Sequence, residues 1–193
     1  MNIDARFEII SKYADDSMVT VPFRKTADSA GYDFYAVEDT VIEPYMGDAM
    51  VDRLALAVSE AYKTQEEALS AMPFTLAQTA EFVKKAEAKV ALVPTGIKCK
   101  IPEGYYLELS VRSSLPYKHW LILGNGVGII DGDYYNNPDN EGHIYFQIIN
   151  LLPFAIKIQK GECFGQGILK EYHKTSDDAT EGERIGGFGS TDE

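Results

Sequence analysis

The residues best equipped for chemistry fall at positions 124–136, in the run Gly-Asn-Gly-Val-Gly-Ile-Ile-Asp-Gly-Asp-Tyr-Tyr-Asn. Glycines at 124, 126 and 128 allow positive φ and let a ligand approach the main chain, whose N–H and C=O groups can then read it. Ile129 and Ile130 are expected to anchor the segment in apolar surroundings, which sets the Asp131 carboxylate beside buried side chains. A carboxylate so placed can act as a general base, because burial and neighbours tune its proton affinity. Tyr134 offers a flat ring to a sugar or a base. Taken alone, the same run also fits a Gly-rich hairpin carrying a solvated aspartate.

The elements that must position this run change character along the chain. A short strand is expected at 6–10 and a polar connection at 11–29. The segment 30–36, Ala-Gly-Tyr-Asp-Phe-Tyr-Ala, is apolar and aromatic around one acid, so Asp33 either turns the backbone or faces a site. Between 48 and 89 the apolar residues Val51, Leu54, Ala55, Val58 and Tyr62, then Leu76, Ala80 and Val83, recur at helical spacing. Thr64 with Glu67 and Thr75 with Gln78 fit capping boxes. Two or three helices are therefore expected there, set into an otherwise β chain. Their apolar stripes need a partner surface, by default the body of the protein.

From residue 90 the period becomes two. Segments 97–101 and 107–112 alternate cleanly, 144–152 is apolar on both faces, and 156–159 and 164–170 add further strands. Pro94-Thr95-Gly96, Pro102-Glu103-Gly104 and Lys160-Gly161-Glu162 punctuate them as turns. Many short strands with regular turns imply a sandwich, barrel or jelly roll. The end of the chain, 175–193, is charged and then Gly-rich and cannot bury enough apolar surface to order itself. Arg184 and Phe188 among glycines suit a lid whose cation meets phosphate and whose ring stacks on a base; otherwise this is a frayed terminus.

Composition narrows the function classes. The net charge of −12 argues against sequence-independent binding to duplex nucleic acid, but allows one anionic small molecule held by local cations, arriving with a divalent metal. No apolar run approaches the roughly 20 residues that span a bilayer, and Met1 is followed by polar and charged residues, so a cytoplasmic protein with no membrane contact is expected. The cysteines, Cys99 and Cys163, are read as free core thiols, and the three histidines show no metal-ligand spacing.

Five segments taken in order resemble the trimeric dUTP diphosphatase (dUTPase) family. Ala30-Gly31-Tyr32-Asp33 is similar to its first motif, and Val111-Arg112-Ser113-Ser114-Leu115, with Lys118 beyond, to its second. Asn125-x-x-Gly128-x-Ile130-Asp131-x-Asp133-Tyr134 resembles the third and is the most specific. Gly161-Glu162-x-x-x-Gln166 resembles the fourth, and 184–191 the fifth. The resemblance implies a mainly β fold, a jelly-roll or β-barrel of β-clip type, here carrying the helical insertion at about 48–89. It implies a single dUTPase-like domain over 1–193 whose C-terminal lid begins near 175.

It further implies cleavage of dUTP to dUMP and pyrophosphate, with Mg²⁺ bridging the phosphates and water attacking the α-phosphorus. Asp131 would orient and deprotonate that water. Tyr134 would pack on the deoxyribose, and the backbone of Gly128, Ile129 and Ile130 with Asn125 would read uracil. Arg112, Ser113, Ser114 and Gln166 would hold phosphate oxygens, and Asp33 the metal's water shell. Arg184, Phe188, Gly189 and Ser190 would close over the nucleotide. Each site would be shared between subunits of a homotrimer.

Several positions depart from the family pattern. Cys163 and Phe164 stand where a basic and an aliphatic residue are usual, and Trp120 stands where Gly is frequent. After Tyr134 the run 135–142 is longer and more polar, so no family residue is carried onto it. Two rival readings are a deoxycytidine triphosphate deaminase on the same fold, and a regulatory protein whose insertion docks a protein partner. The first needs an acidic-Pro-Gly-Phe turn where Ile130-Asp131-Gly132-Asp133-Tyr134 stands.

Overall fold

The period-two alternation becomes a set of antiparallel ladders. The computed structural model describes residues 3–45, 89–180 and 182. Within them the strands are β1 (Arg6–Ile9), β2 (Tyr32–Tyr35), β3 (Thr40–Ile42), β4 (Ala91–Pro94), β5 (Ile97–Lys100) and β6 (Tyr105–Val111). They continue with β7 (Leu121–Leu123), β8 (Gly128–Ile130), β9 (Tyr145–Asn150), β10 (Ile156–Ile158) and β11 (Cys163–Glu171). One sheet runs β2-β11-β6-β8 and a second β4-β9-β7, while β1 pairs with β5 and β3 with β10. The mainly β, jelly-roll-like architecture expected from the sequence is what these strands build. The predicted insertion falls outside the described residues except for Lys89. Among the described residues no helix is long and apolar enough to cross a membrane.

The two larger sheets meet through large side chains that alternation sends inward. Phe34 of β2, Leu107 and Leu109 of β6 and Phe164 of β11 face Val93 of β4, Leu121 and Leu123 of β7, and Phe146 and Ile148 of β9, all in one buried cluster. The Phe146 ring lies 4.9 Å from that of Phe164 and 5.5 Å from that of Phe34, in edge and tilted contacts that suit aromatic quadrupoles. Strand β11 makes room for this ring by presenting Gly165, where a Cβ would collide with Phe146. Its register shifts between Cys163 and Gly165, which is how consecutive residues, Phe164 and Gly165, both come to be buried.

The predicted turns hold. Gly96, Gly104 and Gly161 adopt φ of +71°, +81° and +79°, conformations that L side chains rarely accept. Strand β9 was expected to be covered on both faces. Phe146, Ile148 and Asn150 are buried, and Tyr145, Gln147 and Ile149 are half-buried on the other side. Asn150 is a polar core residue the alternation does not announce. Its Nδ2 donates to the carbonyls of Ile42 (3.0 Å) and Phe154 (2.8 Å), and its Oδ1 accepts from the Leu152 amide (2.9 Å). That fully bonded amide ties β9 to β3 and to the 151–155 turn.

Candidate functional site

The 124–127 run is not the turn of a paired hairpin. Strand β7, before it, pairs with β9, and β8, after it, pairs with β6, so the connection crosses from one sheet to the other. Of the three glycines expected to exploit positive φ, Gly126 alone does so, at +75°. Gly124 and Gly128 serve close approach instead: a Cβ would lie 3.3 Å from the Gln147 side chain at Gly124, and 3.1 Å from Leu109 at Gly128. Where the sheets part beside this crossing, a cavity of ≈ 270 Å³ opens. Leu109, Leu123, Tyr145 and Gln147 form its walls, and Asn125, Gly128, Ile129, Ile130, Asp131 and Tyr134 from the motif line it.

The expectation that both isoleucines are buried is corrected by the period of β8. Gly128 faces the core, Ile129 points outward and is 49% exposed, and Ile130 turns back to pack on the core cluster. Asp131 follows directly, half-buried, and begins the 3₁₀ turn Gly132–Tyr134 without a side-chain capping bond to it. The turn swings the Tyr134 ring inward, where it is only 6% exposed.

A second cleft, ≈ 450 Å³, gathers several of the other predicted residues. Asp33, Arg112, Ser113 and Gln166 line it together with Lys25, Ser29 and Gly31. Register explains the grouping: Asp33 on β2 stands opposite Gln166 on β11, which stands opposite Ser110 on β6, two residues before Arg112. The Gln166 amide lies over Gly31, where a Cβ would be 2.6 Å from Oε1. Asp33 pairs with Lys25, Oδ2 to Nζ 3.0 Å. Arg112 donates to the Cys163 carbonyl at 3.4 Å, and its amide donates to that of Phe164 at 3.0 Å, so the residue is fixed where β6 ends. Ser114 lies just outside this lining, at the start of the helical turn Leu115–His119. Trp120 ends that turn in the left-handed region, φ 53°, the conformation for which glycine is the usual residue.

The structure thus brings Asn125 through Tyr134 together in one cleft, and Asp33, Arg112, Ser113 and Gln166 in another. It does not bring the two groups together. Extending the β6–β8 register sets Asp131 level with Tyr106, and Arg112 lies six residues further along β6. At about 3.3 Å per residue that is roughly 20 Å. Arg184, Phe188, Gly189 and Ser190 lie outside the described residues. Of the predicted lid, 175–180 and 182 are described and exposed.

The cysteines divide. Cys99 is a core thiol whose burial pushes its pKa up to about 12. Cys163 is not core: it is half-buried at the edge of the second cleft, raised by burial and then by Asp33, because β11 starts there with the register shift noted above. Sequence reasoning also missed Lys25, Tyr145, Gln147 and His143. Tyr145 and Gln147 share the second face of β9, which period two alone could have nominated. His143 carried no signal beyond being a polar residue ahead of an apolar run.

His143 is 2% exposed, and its Nε2 accepts from the Gly96 amide at 2.8 Å, which places its proton on Nδ1. Burial, then the charge of Lys12, lowers its pKa from 6.5 to about 4. The folded chain therefore refuses a proton that the unfolded chain accepts. Stability from this group is complete above pH 6.5 and drains as pH falls towards 4. The loss amounts to about 3 kcal/mol at most. Urea midpoints at pH 7, 5.5 and 4.5 should fall more steeply for the wild type than for His143→Gln, which keeps an acceptor for the Gly96 amide. Parallel slopes would contradict this assignment.

Comparison with known proteins adds the following. A family model described as dUTPase matches residues 64–191. The deoxyuridine 5′-triphosphate nucleotidohydrolase of Lactococcus lactis subsp. lactis (strain IL1403) is 34% identical over 187 residues, 96% of this chain and 95% of the relative. The crystal structure of dUTPase from Streptococcus mutans is similar with a TM-score of 0.62 and 33% identity, covering 88% of this chain and 98% of that one. A mutant dUTPase from phage phi11 of S. aureus shares the fold at 16% identity and a TM-score of 0.57, over 93% of this chain and 98% of that one. Its structure details the coordination of a structural Mg(II) ion.

Proposed function

The chain belongs to the dUTPase family, and from that premise we propose how its own residues cleave dUTP to dUMP and pyrophosphate. The slot between the sheets takes the deoxyuridine moiety. Its narrow walls and the main chain of 125–130 admit uracil and leave no room for a methyl group, while the ring of Tyr134 lies along the deoxyribose. Asp131 at the mouth of the slot accepts a proton from a water molecule. The water oxygen forms a bond to the α-phosphorus, the bond from that phosphorus to the bridging oxygen breaks, and pyrophosphate departs.

The observation that carries this reading is the separation of the two clefts. Arg112, Ser113, Ser114 and Gln166 suit phosphate oxygens, with a guanidinium, hydroxyls and an amide as donors. Yet within one chain Arg112 stands about 20 Å along β6 from the level of Asp131, too far for one triphosphate whose α-phosphorus is under attack there. The site is therefore completed by a second copy, which brings its phosphate cleft against the first copy's slot. The exposed Ile129, beside Asp131, is apolar surface suited to that contact. Head-to-tail contacts of this kind close into a ring, and three copies, the number the family resemblance implies, make it a homotrimer, with the tail bearing Arg184, Phe188, Gly189 and Ser190 closing each site.

A divalent cation fits this arrangement as part of the substrate. Among the described residues no group of three or more His, Cys, Asp or Glu is placed to hold a metal. Mg²⁺ commonly keeps its waters and rides on phosphates with one or two carboxylates nearby. Asp33, already paired with Lys25, would reach such an ion through its water. When bound, Mg²⁺ supplies charge neutralisation on the phosphate oxygens.

Pyrophosphate release from dUTP, dCTP, dTTP and UTP, each with and without Mg²⁺, tests the reading. The expected outcome is rapid release from dUTP alone, accelerated by Mg²⁺. A chain with its C-terminus intact that leaves dUTP unconsumed in ample Mg²⁺ would overturn it.

A further inference from the structure

The run between Tyr134 and Ile144, which departs from the family pattern, closes back on the slot. The Tyr134 hydroxyl accepts from Asn140 Nδ2 at 2.8 Å and donates to the His143 carbonyl at 3.1 Å. Asn140 is itself fixed, since its Oδ1 accepts from the Gly142 amide and its carbonyl from the His143 amide, both at 3.0 Å. Outer anchors tie the run to the body. Lys98 donates to Asn136 Oδ1 at 2.7 Å, the Ser11 amide donates to the Glu141 carboxylate at 3.2 Å, and the Tyr135 hydroxyl donates to Glu8 at 2.7 Å.

This run uses backbone conformations that L side chains rarely adopt. Asn136 and Glu141 sit in the left-handed region at φ 59° and 61°. Gly142 follows at φ 77°, where a Cβ would collide with the Tyr134 carbonyl oxygen. Asn137 Nδ2 is buried with no hydrogen-bond partner among the described residues. Such features persist only where the surroundings over-determine them, and they collect where position matters for function.

We propose that this run is a clamp on the phenol of Tyr134, and that Asn140 is the positioning residue through which it sets discrimination between deoxyribose and ribose. The inference rests on the proposed function, in which the Tyr134 ring meets the sugar. A wall that excludes by shape discriminates only as well as it is stiff. Two bonds at the hydroxyl end keep the ring from sliding away, so a 2′-hydroxyl meets a fixed surface. Exclusion of an added hydroxyl by shape alone reaches about 10²-fold, and a ring free to move surrenders much of that.

The test compares kcat/KM for dUTP and UTP in the full-length chain, in Asn140→Ala and in Tyr134→Phe, which keeps the ring and deletes only the hydroxyl. The dUTP-to-UTP ratio is expected to fall about tenfold in each variant, mainly through a lower KM for UTP, with kcat for dUTP in Asn140→Ala within a few-fold of wild type. The double variant should do no more than Tyr134→Phe alone, because deleting the hydroxyl already removes the bond from Asn140. If Asn140→Ala does not fold, Tyr134→Phe decides alone. A ratio that stays at the wild-type value, or equal losses for both nucleotides, would overturn the clamp while leaving dUTP hydrolysis in place. A wild-type chain that turns over neither nucleotide would overturn the parent reading and this one with it.

Discussion

Asp131→Asn should bind dUTP about as tightly as the wild type and turn it over 10² to 10⁴ times more slowly, the range that a positioned general base typically contributes, to within about an order of magnitude. The substitution is isosteric and leaves an oxygen that can still orient a water molecule. What it removes is the proton acceptor, which matters only as the water attacks, so the effect belongs in kcat rather than in affinity. The fold should be spared. Asp131 begins the Gly132–Tyr134 turn, and the main-chain contact, Tyr134 amide to Asp131 carbonyl at 3.3 Å, survives the isosteric change. Single-turnover rates at saturating dUTP, with nucleotide binding measured separately, check both halves. Turnover near the wild-type rate would remove Asp131 from the mechanism.

The strands were legible because period two is a local property. Leu107-Glu108-Leu109 alternates whatever it later pairs with, and the turn glycines at 96, 104 and 161 announce themselves through proline or charged neighbours. Which strands pair is not local. Nothing in 121–130 says that β7 and β8 enter different sheets, so a Gly-rich hairpin was the natural expectation and the cavity between the sheets was not foreseen. The burial of Ile129 failed for a related reason. An isoleucine reads as core from its own chemistry, and only the inward placement of Gly128 against Leu109 fixes the phase that turns Ile129 out.

The site residues were legible as types and as ordered motifs, because aspartate, arginine and serine carry their chemistry on their faces. Their grouping was not. That Asp33, Arg112 and Gln166 share one cleft follows from the register of β2, β11 and β6, while Asn125, Asp131 and Tyr134 share another. The 135–142 run offered only polarity to a sequence reader. Its hydrogen bonds reach Glu8, Ser11 and Lys98, more than 35 positions away along the chain, and such contacts leave no local pattern.

A mixture of two inactive chains should become active. Arg112→Ala removes the guanidinium from the phosphate cleft, and Asp131→Asn removes the base from the slot, so each variant alone has every site crippled. In mixed assemblies, a slot from an Arg112→Ala chain can meet a phosphate cleft from an Asp131→Asn chain. Random reassortment of equal amounts gives both intact halves at about one site in four. The measurement is the rate of pyrophosphate release from dUTP by differently tagged chains, denatured and refolded together and purified through both tags. Purification through both tags removes the single-type trimers, and each mixed trimer keeps one intact site in three, so recovery to about a third of the wild-type rate per site is the predicted result. Mixed assemblies that form yet remain as inactive as their parents would mean that Asp131 and Arg112 do not act across a shared site, and would contradict the account at its centre.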